Sequence, residues 1–257
     1  MAEALLEIEA LSRRFGGLKA VNNVSFAVAE GSIKSVIGPN GAGKTTLFNL
    51  ISGVLPCDSG SVRNSGREIS RLPPHRIAEL GICRTFQTTK LFARMSVLEN
   101  VMVGRHPRTR AGFLSGLLNL PWTWKEEREI RERSLELLDA LGLKEAADEP
   151  AANLPFGRQR LLEIARALAT EPHFILLDEP FAGVDPISVI DIQRIIKQLT
   201  KKGIGILITD HNVRETLGVC HHAYIMNSGE VLATGTPQEI LDNQEVKKVY
   251  LGEDFRL

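Results

Sequence analysis

The chain has 257 residues, of which 43% are hydrophobic, and it carries 31 basic and 31 acidic side chains. This length suits one large domain or two small ones, and the apolar content is enough for a sizeable core. The zero net charge argues against a general attraction to nucleic acid or to anionic lipid. The 3 cysteines lie far apart without metal-ligand spacing, which indicates inert thiols in a reducing compartment.

Neither a secretory signal nor a membrane span is evident in the sequence. The start of the chain mixes apolar with charged residues and lacks the basic start, apolar run and cleavage site of a signal peptide. The longest apolar patch, 113–120, is interrupted by polar residues and is far shorter than the roughly 20 residues that span a bilayer. We therefore expect a cytoplasmic chain that another subunit holds at any membrane where it works.

The first third of the chain is expected to be rich in β-structure. The strands predicted from its apolar patterning are short strands within 5–28 around a turn at 15–17, a strand at 32–37, and β segments near 61–62 and 82–86. A glycine-rich loop over 38–43 follows the strand at 32–37, and a helix over 44–52 follows the loop.

That glycine-rich loop matches the phosphate-binding pattern G-x-x-x-x-G-K-[ST]. The residues of the pattern, with the threonine after it, are Gly38, Pro39, Asn40, Gly41, Ala42, Gly43, Lys44, Thr45 and Thr46. Glycines let backbone N–H groups converge on phosphate oxygens, and the helix N-terminus adds its dipole. Lys44 is suited to the β- and γ-phosphates and Thr45 to Mg²⁺. Because the loop joins an apolar strand to a helix, we interpret it as a phosphate site rather than a chance turn.

A polar, helix-rich section begins near residue 96, where 96–99 fits a capping box. Residues 107–124 contain Gly, Pro, Ser and two Trp and are expected to form a surface loop or insertion. The segment 125–143 predicts a long amphipathic helix with leucines on its inner face. A second amphipathic helix is expected at the end of 152–168, after a loop with proline and glycine.

Strands and helices then alternate, which favours a parallel α/β core interrupted by the helical section. The elements predicted here are strands at 174–177, 204–209, 223–225 and 231–233 and helices at 187–199, 213–219, 237–242 and 244–250. Asp178 and Glu179 follow the first of these strands. A carboxylate at such a strand end can hold Mg²⁺, directly or through water, and its neighbour can polarise an attacking water. With the phosphate loop upstream, we prefer this interpretation to a strand end and helix cap.

An ordered series of segments resembles the nucleotide-binding subunit of ABC transporters over nearly the whole chain. The series is GPNGAGKTT, Gln87 in ICRTFQTTKLF, LPFGRQR, LLDEP, GVDP and His211 in LITDH. The resemblance implies an α/β P-loop NTPase (RecA-like) fold, with a parallel-sheet core, an N-terminal antiparallel β subdomain and an inserted α-helical subdomain. It further implies a single ABC ATPase domain over 1–257, whose parts are a nucleotide-binding core at 1–95 and 170–235, a helical subdomain at 96–169 and a C-terminal helical tail at 236–257.

The resemblance also implies an ATPase that uses ATP and Mg²⁺ and powers transmembrane permease subunits. Two cassettes of this family pair head to tail, and the glycine-led helix of one completes the ATP site of the other. The expected partners are thus the permease subunits and a second ATPase subunit, either identical or related, with no nucleic acid. The expected location is peripheral, on the cytoplasmic face of the cell membrane.

Site residues carry over from the family by position. Phe15 is expected to stack on the adenine, although a core phenylalanine is the alternative. Glu179 is expected to be the catalytic base, and Gln87 to sense Mg²⁺ and the attacking water and to link the site to the membrane subunit. Asp185 is expected to order the dimer interface, and His211 to contact the γ-phosphate.

The segment aligned with the family's LSGGQ signature departs from it. Leu154 and Gly157 keep the family's residue types and are expected to contact the nucleotide of the partner. Pro155 replaces a serine whose hydroxyl usually contacts the γ-phosphate, and it has no N–H to offer. Arg158 replaces glutamine. We do not interpret these changes as loss of function, but we expect Pro155 to weaken ATP-driven dimerisation.

Two subfamilies divide the resemblance. Residues 1–172 resemble the ATPase of branched-chain amino-acid uptake, and residues 174–257 resemble the ATPase of lipopolysaccharide export. Partner choice should depend on the surface near Gln87 and the helical section, which lies in the uptake-like part, so we favour uptake. Lipopolysaccharide export stays open, as do a non-transport ABC ATPase and a regulatory cassette that does not hydrolyse ATP.

Overall fold

The computed structural model describes residues 4–85, 87, 91–105 and 121–251. These form two compact units, one of Met1–Gln87 with His173–Leu257 and one of Thr88–Pro172. Among the described residues, no helix combines the length and apolar character that crossing a membrane requires. The domain boundaries expected from the sequence remain predictions about domain organisation.

Strands dominate the first unit. Its strands are β1 (Ala4–Phe15), β2 (Leu18–Ala29), β3 (Ile33–Ile37), β4 (Ser59–Asn64), β5 (Arg67–Glu68), β6 (Ile82–Arg84), β7 (Phe174–Asp178), β8 (Gly205–Asp210), β9 (His222–Asn227) and β10 (Glu230–Gly235). Its helices are α1 (Lys44–Ile51), α2 (Pro74–Glu79), α6 (Pro186–Lys201), α7 (Val213–Leu217), α8 (Pro237–Asp242) and α9 (Gln244–Val246), followed by a π-helical turn at Lys247–Leu251.

A six-stranded sheet in the order β10-β9-β3-β8-β7-β6 is parallel except for its edge strand β10. Strands β7 and β8 are buried along their whole length, as expected of parallel strands covered on both faces. Asp178 pairs with Thr209, and Ile37 with Asp210. The carboxyl ends of β3, β7 and β8 therefore lie side by side. The predicted parallel α/β core is confirmed.

A second, antiparallel sheet has the order β2-β1-β4-β5. The predicted turn after Phe15 is confirmed, with Gly16 at φ 57. The prediction of short strands around it was wrong, because β1 and β2 each run for 12 residues. Register shifts interrupt their pairing in several places, and such bulges let a long ribbon twist without ending. Each bulge interrupts the alternation of apolar and polar residues in the sequence, although the strand itself continues.

One cluster of buried apolar side chains joins this sheet to helix α1 and to the parallel sheet. It includes Ile8 and Val28 from the antiparallel sheet, Phe48 from α1, and Leu176 and Met226 from the parallel sheet. The cluster fixes α1 between the two sheets, so the loop that precedes α1 is held at both of its ends.

The second unit contains α3 (Val97–Arg105), α4 (Pro121–Ala140) and α5 (Phe156–Leu168), with 3-10 turns at Lys144–Ala146 and Ala151–Asn153. The capping box is confirmed: the Ser96 N–H donates to Glu99 Oε2 at 2.7 Å, and the Glu99 N–H donates to Ser96 Oγ at 3.1 Å. Asn100 is fully buried, and its amide nitrogen donates to the carbonyls of Phe92 and Ser96 at 3.1 and 2.9 Å. These bonds fix the entry to α3.

Both ends of helix α4 differ from the sequence prediction, and two elements were not predicted. Most of the insertion expected over 107–124 lies outside the described residues, but 121–124 belong to helix α4, since proline is tolerated in a first helical turn. Helix α4 ends at Ala140 rather than at 143, because Gly142 adopts φ 70. Leu138 and Leu141 are nevertheless buried as expected. Strand β5 and helix α2 were not predicted.

Candidate functional site

The phosphate-binding pattern forms the connection from β3 to α1. Gly41 and Gly43 have φ values of 85 and 103, a backbone conformation that residues other than glycine rarely adopt. A Cβ on Gly43 would lie 2.2 Å from the carbonyl oxygen of Ala20, and one on Gly38 would lie 2.3 Å from that of Met226. One side of the loop therefore packs closely against neighbouring backbone. The other side is open, as a backbone cradle for an anion requires.

A cavity of about 440 Å³ opens over this loop. The residues of the sequence prediction that line it are Phe15, Asn40, Gly41, Ala42, Gly43, Lys44, Thr45, Thr46, Gln87 and Glu179. Leu18, Lys19, Ala20 and Ser228 also line it, and sequence reasoning did not single these out. Phe15 is 44% exposed, so it is not a core phenylalanine. Its ring is open to the cavity, with the Arg13 guanidinium 5.1 Å from its centroid.

Lys44 is buried at the base of this cavity. Its ammonium donates to the carbonyl oxygens of Gly38 and Pro39 at 2.6 and 3.0 Å. Burial lowers the pKa of Lys44, and the nearby carboxylates, Glu179 foremost, oppose that shift. A buried cation beside an open anion cradle is suited to a phosphate that would replace its lost hydration.

Asp178 ends strand β7 with both carboxylate oxygens engaged. Oδ1 accepts a hydrogen bond from Thr209 Oγ1 at 2.8 Å, and Oδ2 accepts one from Arg84 at 2.7 Å. Glu179 follows with φ 49, and its N–H donates to the Thr209 carbonyl at 2.7 Å. A left-handed conformation is uncommon for a non-glycine residue and costs energy. It turns the Glu179 side chain out of the strand and into the cavity.

The Glu179 carboxylate brings Gln87 and His211 together. Gln87 Nε2 donates to Glu179 Oε2 at 2.9 Å, and His211 Nδ1 lies 3.3 Å from the same oxygen. His211 Nδ1 is also 3.5 Å from Asp210 Oδ1. The His211 side chain is 51% exposed, so it is open to a ligand as well as to Glu179.

Asp210 is a fully buried carboxylate that sequence reasoning missed. It accepts hydrogen bonds from the N–H groups of Phe181 and Asn212, at 3.1 and 2.9 Å. Burial raises the pKa of Asp210, against the lowering effect of these backbone bonds. Asp210 thereby joins the segment after Glu179 to the segment that carries His211. Its position at the end of a buried strand, one residue before His211, was the available signal.

Tyr250 was also missed as a site residue. Its hydroxyl donates to the carbonyl oxygen of His211 at 3.0 Å. Burial, with the negative charges of Asp210 and Glu179, raises the pKa of Tyr250 to about 12. The hydroxyl therefore remains a donor at neutral pH. Sequence reasoning saw only a short helix here, and the π-helical turn at Lys247–Leu251 brings the tyrosine to His211.

Asp185 caps helix α6. Its Oδ1 accepts from the Ser188 N–H at 3.0 Å, and bonds with Ser188 lower the pKa of Asp185. This is an ordinary helix cap. The predicted role of Asp185 at a dimer interface stays a prediction.

The segment aligned with the signature belongs to the second unit. Leu154 and Gly157 are buried there, whereas Phe156 is 43% exposed and Arg158 is exposed. Pro155 immediately precedes α5 and supplies no side-chain cap. The backbone N–H groups of the first turn of α5 are therefore left without a side-chain acceptor at position 155.

The residues expected at a metal are Thr45, Gln87 and Asp178. They offer hydroxyl, amide and carboxylate oxygens, which are the donors that Mg²⁺ prefers. Thr45 and Gln87 line the cavity, and Asp178 lies beside Glu179 at the end of β7. In the part of the chain that the structure describes, no group of three or more His, Cys, Asp or Glu side chains forms a metal cluster. The donor set thus fits a metal that a bound nucleotide helps to hold.

A glycine-rich loop between β3 and α1, beside an acidic strand end in a parallel sheet, defines a P-loop ATPase. The ABC transporter family matches residues 21–182, which include both features. The chain belongs to this family and is the ATP-hydrolysing subunit of a transporter.

Relatives from two kinds of transport system cover the chain almost completely. The lipopolysaccharide export system ATP-binding protein LptB of Escherichia coli K12 is 46% identical over 99% of this chain and 100% of its own. The high-affinity branched-chain amino acid transport ATP-binding protein BraF of Pseudomonas aeruginosa is 41% identical over 98% of this chain and 100% of its own. Residues 230–256 match the family described as branched-chain amino acid ATP-binding cassette transporter.

A solved structure confirms the fold. The ADP conformation of an ATP-binding cassette of an ABC transporter has a TM-score of 0.85 and 36% identity, over 97% of this chain and 99% of the other. The P-loop α/β fold expected from the sequence is thereby confirmed. Both kinds of relative align over the whole chain, so the expected division near residue 172 stays a prediction.

Proposed function

We propose that this chain hydrolyses Mg²⁺–ATP in the cavity over the phosphate loop and that it powers branched-chain amino-acid uptake. The triphosphate would lie in the loop over 38–43, with Lys44 on its β- and γ-phosphates and the adenine on the exposed face of Phe15. Thr45, Gln87 and Asp178 would hold Mg²⁺. The ion would supply charge neutralisation at the phosphate oxygens.

The chemistry of the site centres on one carboxylate oxygen. Glu179 Oε2 would accept the proton of the attacking water, while the Gln87 and His211 contacts to this oxygen hold it in place. The half-exposed His211 ring would also reach the γ-phosphate. Asp210 accepts from the N–H of Asn212 and from that of Phe181, so it joins the segment around His211 to the segment after Glu179. Tyr250 donates to the His211 carbonyl.

Dimerisation would complete the site. Gly157 lies in the first turn of helix α5, which has no side-chain cap, and this end of the helix would face the phosphate bound by a second ATPase subunit. Leu154 and Asp185 would lie at the same interface. With its permease subunits, the dimer would sit peripherally on the cytoplasmic face of the cell membrane.

The preference for amino-acid uptake is carried by the match of residues 230–256 to a branched-chain amino acid cassette family. The alternative is lipopolysaccharide export, which the higher identity to LptB favours. Both candidates use the same ATP chemistry, so they differ only in the membrane subunits that the ATPase engages.

Co-purification with each candidate pair of membrane subunits separates the two systems. The chain would be purified in detergent with an amino-acid permease pair or with a lipopolysaccharide-export pair, and ATPase stimulation would be measured. We expect stimulation by the amino-acid permeases. Stimulation by the export pair alone would replace uptake with export, and ATPase activity without stimulation by either pair would contradict both.

A further inference from the structure

Arg84, at the end of β6, lies among three elements that form the base of the ATP site. One terminal nitrogen, Nη1, donates to Asn49 Oδ1 at 2.7 Å and to Ser52 Oγ at 3.0 Å, both from the α1 segment. The other, Nη2, donates to Asp178 Oδ2 at 2.7 Å. The planar guanidinium thus connects a helix and a strand with fixed geometry, which a lysine could not reproduce.

Burial makes this connection rigid. The side chains of Arg84 and Asp178 are 8% and 3% exposed, and the guanidinium lies 5.5 Å from the centroid of the Phe48 ring. Ion pairs removed from water in this way lose hydration and are retained only with good geometry and further hydrogen bonds. Thr209 supplies such a bond to the other oxygen of Asp178. Neither carboxylate oxygen can therefore turn without breaking a buried bond.

The two elements that Arg84 joins carry two of the oxygen donors expected at the metal. Thr45 lies in the first turn of α1, and Asn49 is one helical turn further along the same helix. Asp178 ends β7. A shift of α1 against β7 would change the distance between Thr45 and Asp178, and the bonds of Arg84 oppose that shift.

We propose that Arg84 is a positioning residue that sets the separation and orientation of Thr45 and Asp178 for the metal–nucleotide complex. The inference rests on the proposed Mg²⁺–ATP site. Residues that orient metal ligands in this way affect metal affinity about 10- to 100-fold when they are replaced. A merely structural ion pair would instead lower fold stability and leave the metal affinity of the folded protein unchanged.

The test measures metal and nucleotide affinity separately. Mn²⁺ binding in the presence of a non-hydrolysable ATP analogue would be followed by electron paramagnetic resonance, and affinity for the analogue would be measured in EDTA. For Arg84→Lys we expect Mn²⁺ affinity to fall about tenfold, with the metal-free nucleotide affinity nearly unchanged. Asn49→Ala, which removes one acceptor of Arg84, should weaken Mn²⁺ binding in the same direction by a smaller factor.

Arg105→Lys is the matched control, because Arg105 is 13% exposed and pairs with Glu171 at 3.0 Å in the second unit. It should leave Mn²⁺ affinity unchanged. Unchanged Mn²⁺ affinity in folded Arg84→Lys would overturn the inference, as would equal losses of Mn²⁺ and metal-free nucleotide binding. If Arg84→Lys does not fold, unchanged Mn²⁺ affinity in Asn49→Ala overturns it. Failure of the unmodified chain to bind Mn²⁺ with the analogue would reject the proposed function itself.

Discussion

Single side chains in this site are held by contacts that restrict them to one arrangement. Glu179 has a left-handed backbone, a hydrogen bond from its N–H to Thr209, and a carboxylate oxygen shared by Gln87 and His211. Fixed partners of this kind reduce the reorganisation that proton transfer requires. The phosphate loop, by contrast, offers backbone on an open face.

Glu179→Gln should keep ATP binding and lose at least ~10²-fold in turnover, because an amide of the same shape cannot accept the proton of water. Steady-state hydrolysis and binding of a fluorescent ATP analogue would measure the two effects. Glu79→Gln, at an exposed pair with Arg76, is the control and should leave both unchanged. Near-normal turnover of Glu179→Gln would remove Glu179 from the role of base.

His173 should make the fold sensitive to acid. Burial lowers the pKa of His173 below 6.5, and the ring contacts Asn64 at 3.1 Å. Between that lowered pKa and 6.5 the unfolded chain binds more protons than the folded chain, so stability falls as the pH drops through this window. His222, whose pKa burial also lowers, acts in the same direction.

Urea unfolding at pH 7.5 and 5.5 would test this expectation. The loss on acidification should be smaller in His173→Gln, by at most about 1.4 kcal/mol per pH unit, the limit for one proton. His75→Gln, at an exposed position, should behave as the unmodified chain. An identical loss in His173→Gln and the unmodified chain would contradict the assignment.

Among the elements, those that carry the site are fixed by close contact between backbones. The phosphate loop touches the carbonyl oxygens of Ala20 and Met226, and α1 is packed between two sheets. Two elements can be tested by single substitutions. These are the phosphate loop and the start of helix α5.

Gly43→Ala should destabilise the fold by at least about 2 kcal/mol and abolish ATP binding. A methyl group there meets a backbone oxygen at 2.2 Å, in addition to the strain of a positive φ, which costs about 1–3 kcal/mol. Gly66→Ala is the matched control, since Gly66 has φ 76 with no atom within 4 Å and should cost only about 1–2 kcal/mol. Thermal unfolding with and without nucleotide would measure both; equal losses would refute the clash.

Pro155→Ser should strengthen ATP-dependent dimerisation in a Glu179→Gln background. A serine would cap the open first turn of α5, worth about 1 kcal/mol, and would offer a hydroxyl to the phosphate of a partner. Pro155→Ala lacks that hydroxyl and is the control. Size-exclusion chromatography with ATP would measure the dimer fraction; an unchanged or smaller fraction in Pro155→Ser would count against the idea.

Local patterns were enough to predict the elements but not the contacts across the sheet. The phosphate loop, β7 and the capping box at Ser96 are set by adjacent residues and could be predicted. Arg84 reaches Asp178, and Asp210 reaches the N–H of Phe181, only through the strand order β8-β7-β6, which no local pattern encodes. The length of β1 was missed because bulges break its alternation. Helix α2 was missed because it begins at the second of two consecutive prolines, and such a pair usually marks a turn.

The molecule as a whole has balanced charge, with equal numbers of acidic and basic side chains. Its family assigns it to transport. Because proteins neutralise the phosphate backbone of nucleic acid with basic side chains, the balanced charge agrees with the expectation that this chain has no nucleic-acid partner.

We expect no salt-dependent binding to duplex DNA. Fluorescence anisotropy of a labelled duplex at low ionic strength would show this, with a basic DNA-binding protein as the positive control. Binding that weakens steeply with added salt would contradict the expectation.

The backbone of Glu179 has a consequence for evolution. Glu179, whose carboxylate we propose as the base, occupies a conformation that glycine adopts without strain. On that proposal, selection for thermostability and selection for turnover favour different residues at position 179. A laboratory selection for heat resistance alone would enrich glycine there, and a selection for turnover would purge it. The residue found at position 179 in a descendant of this chain would therefore show which of the two selections had acted on it.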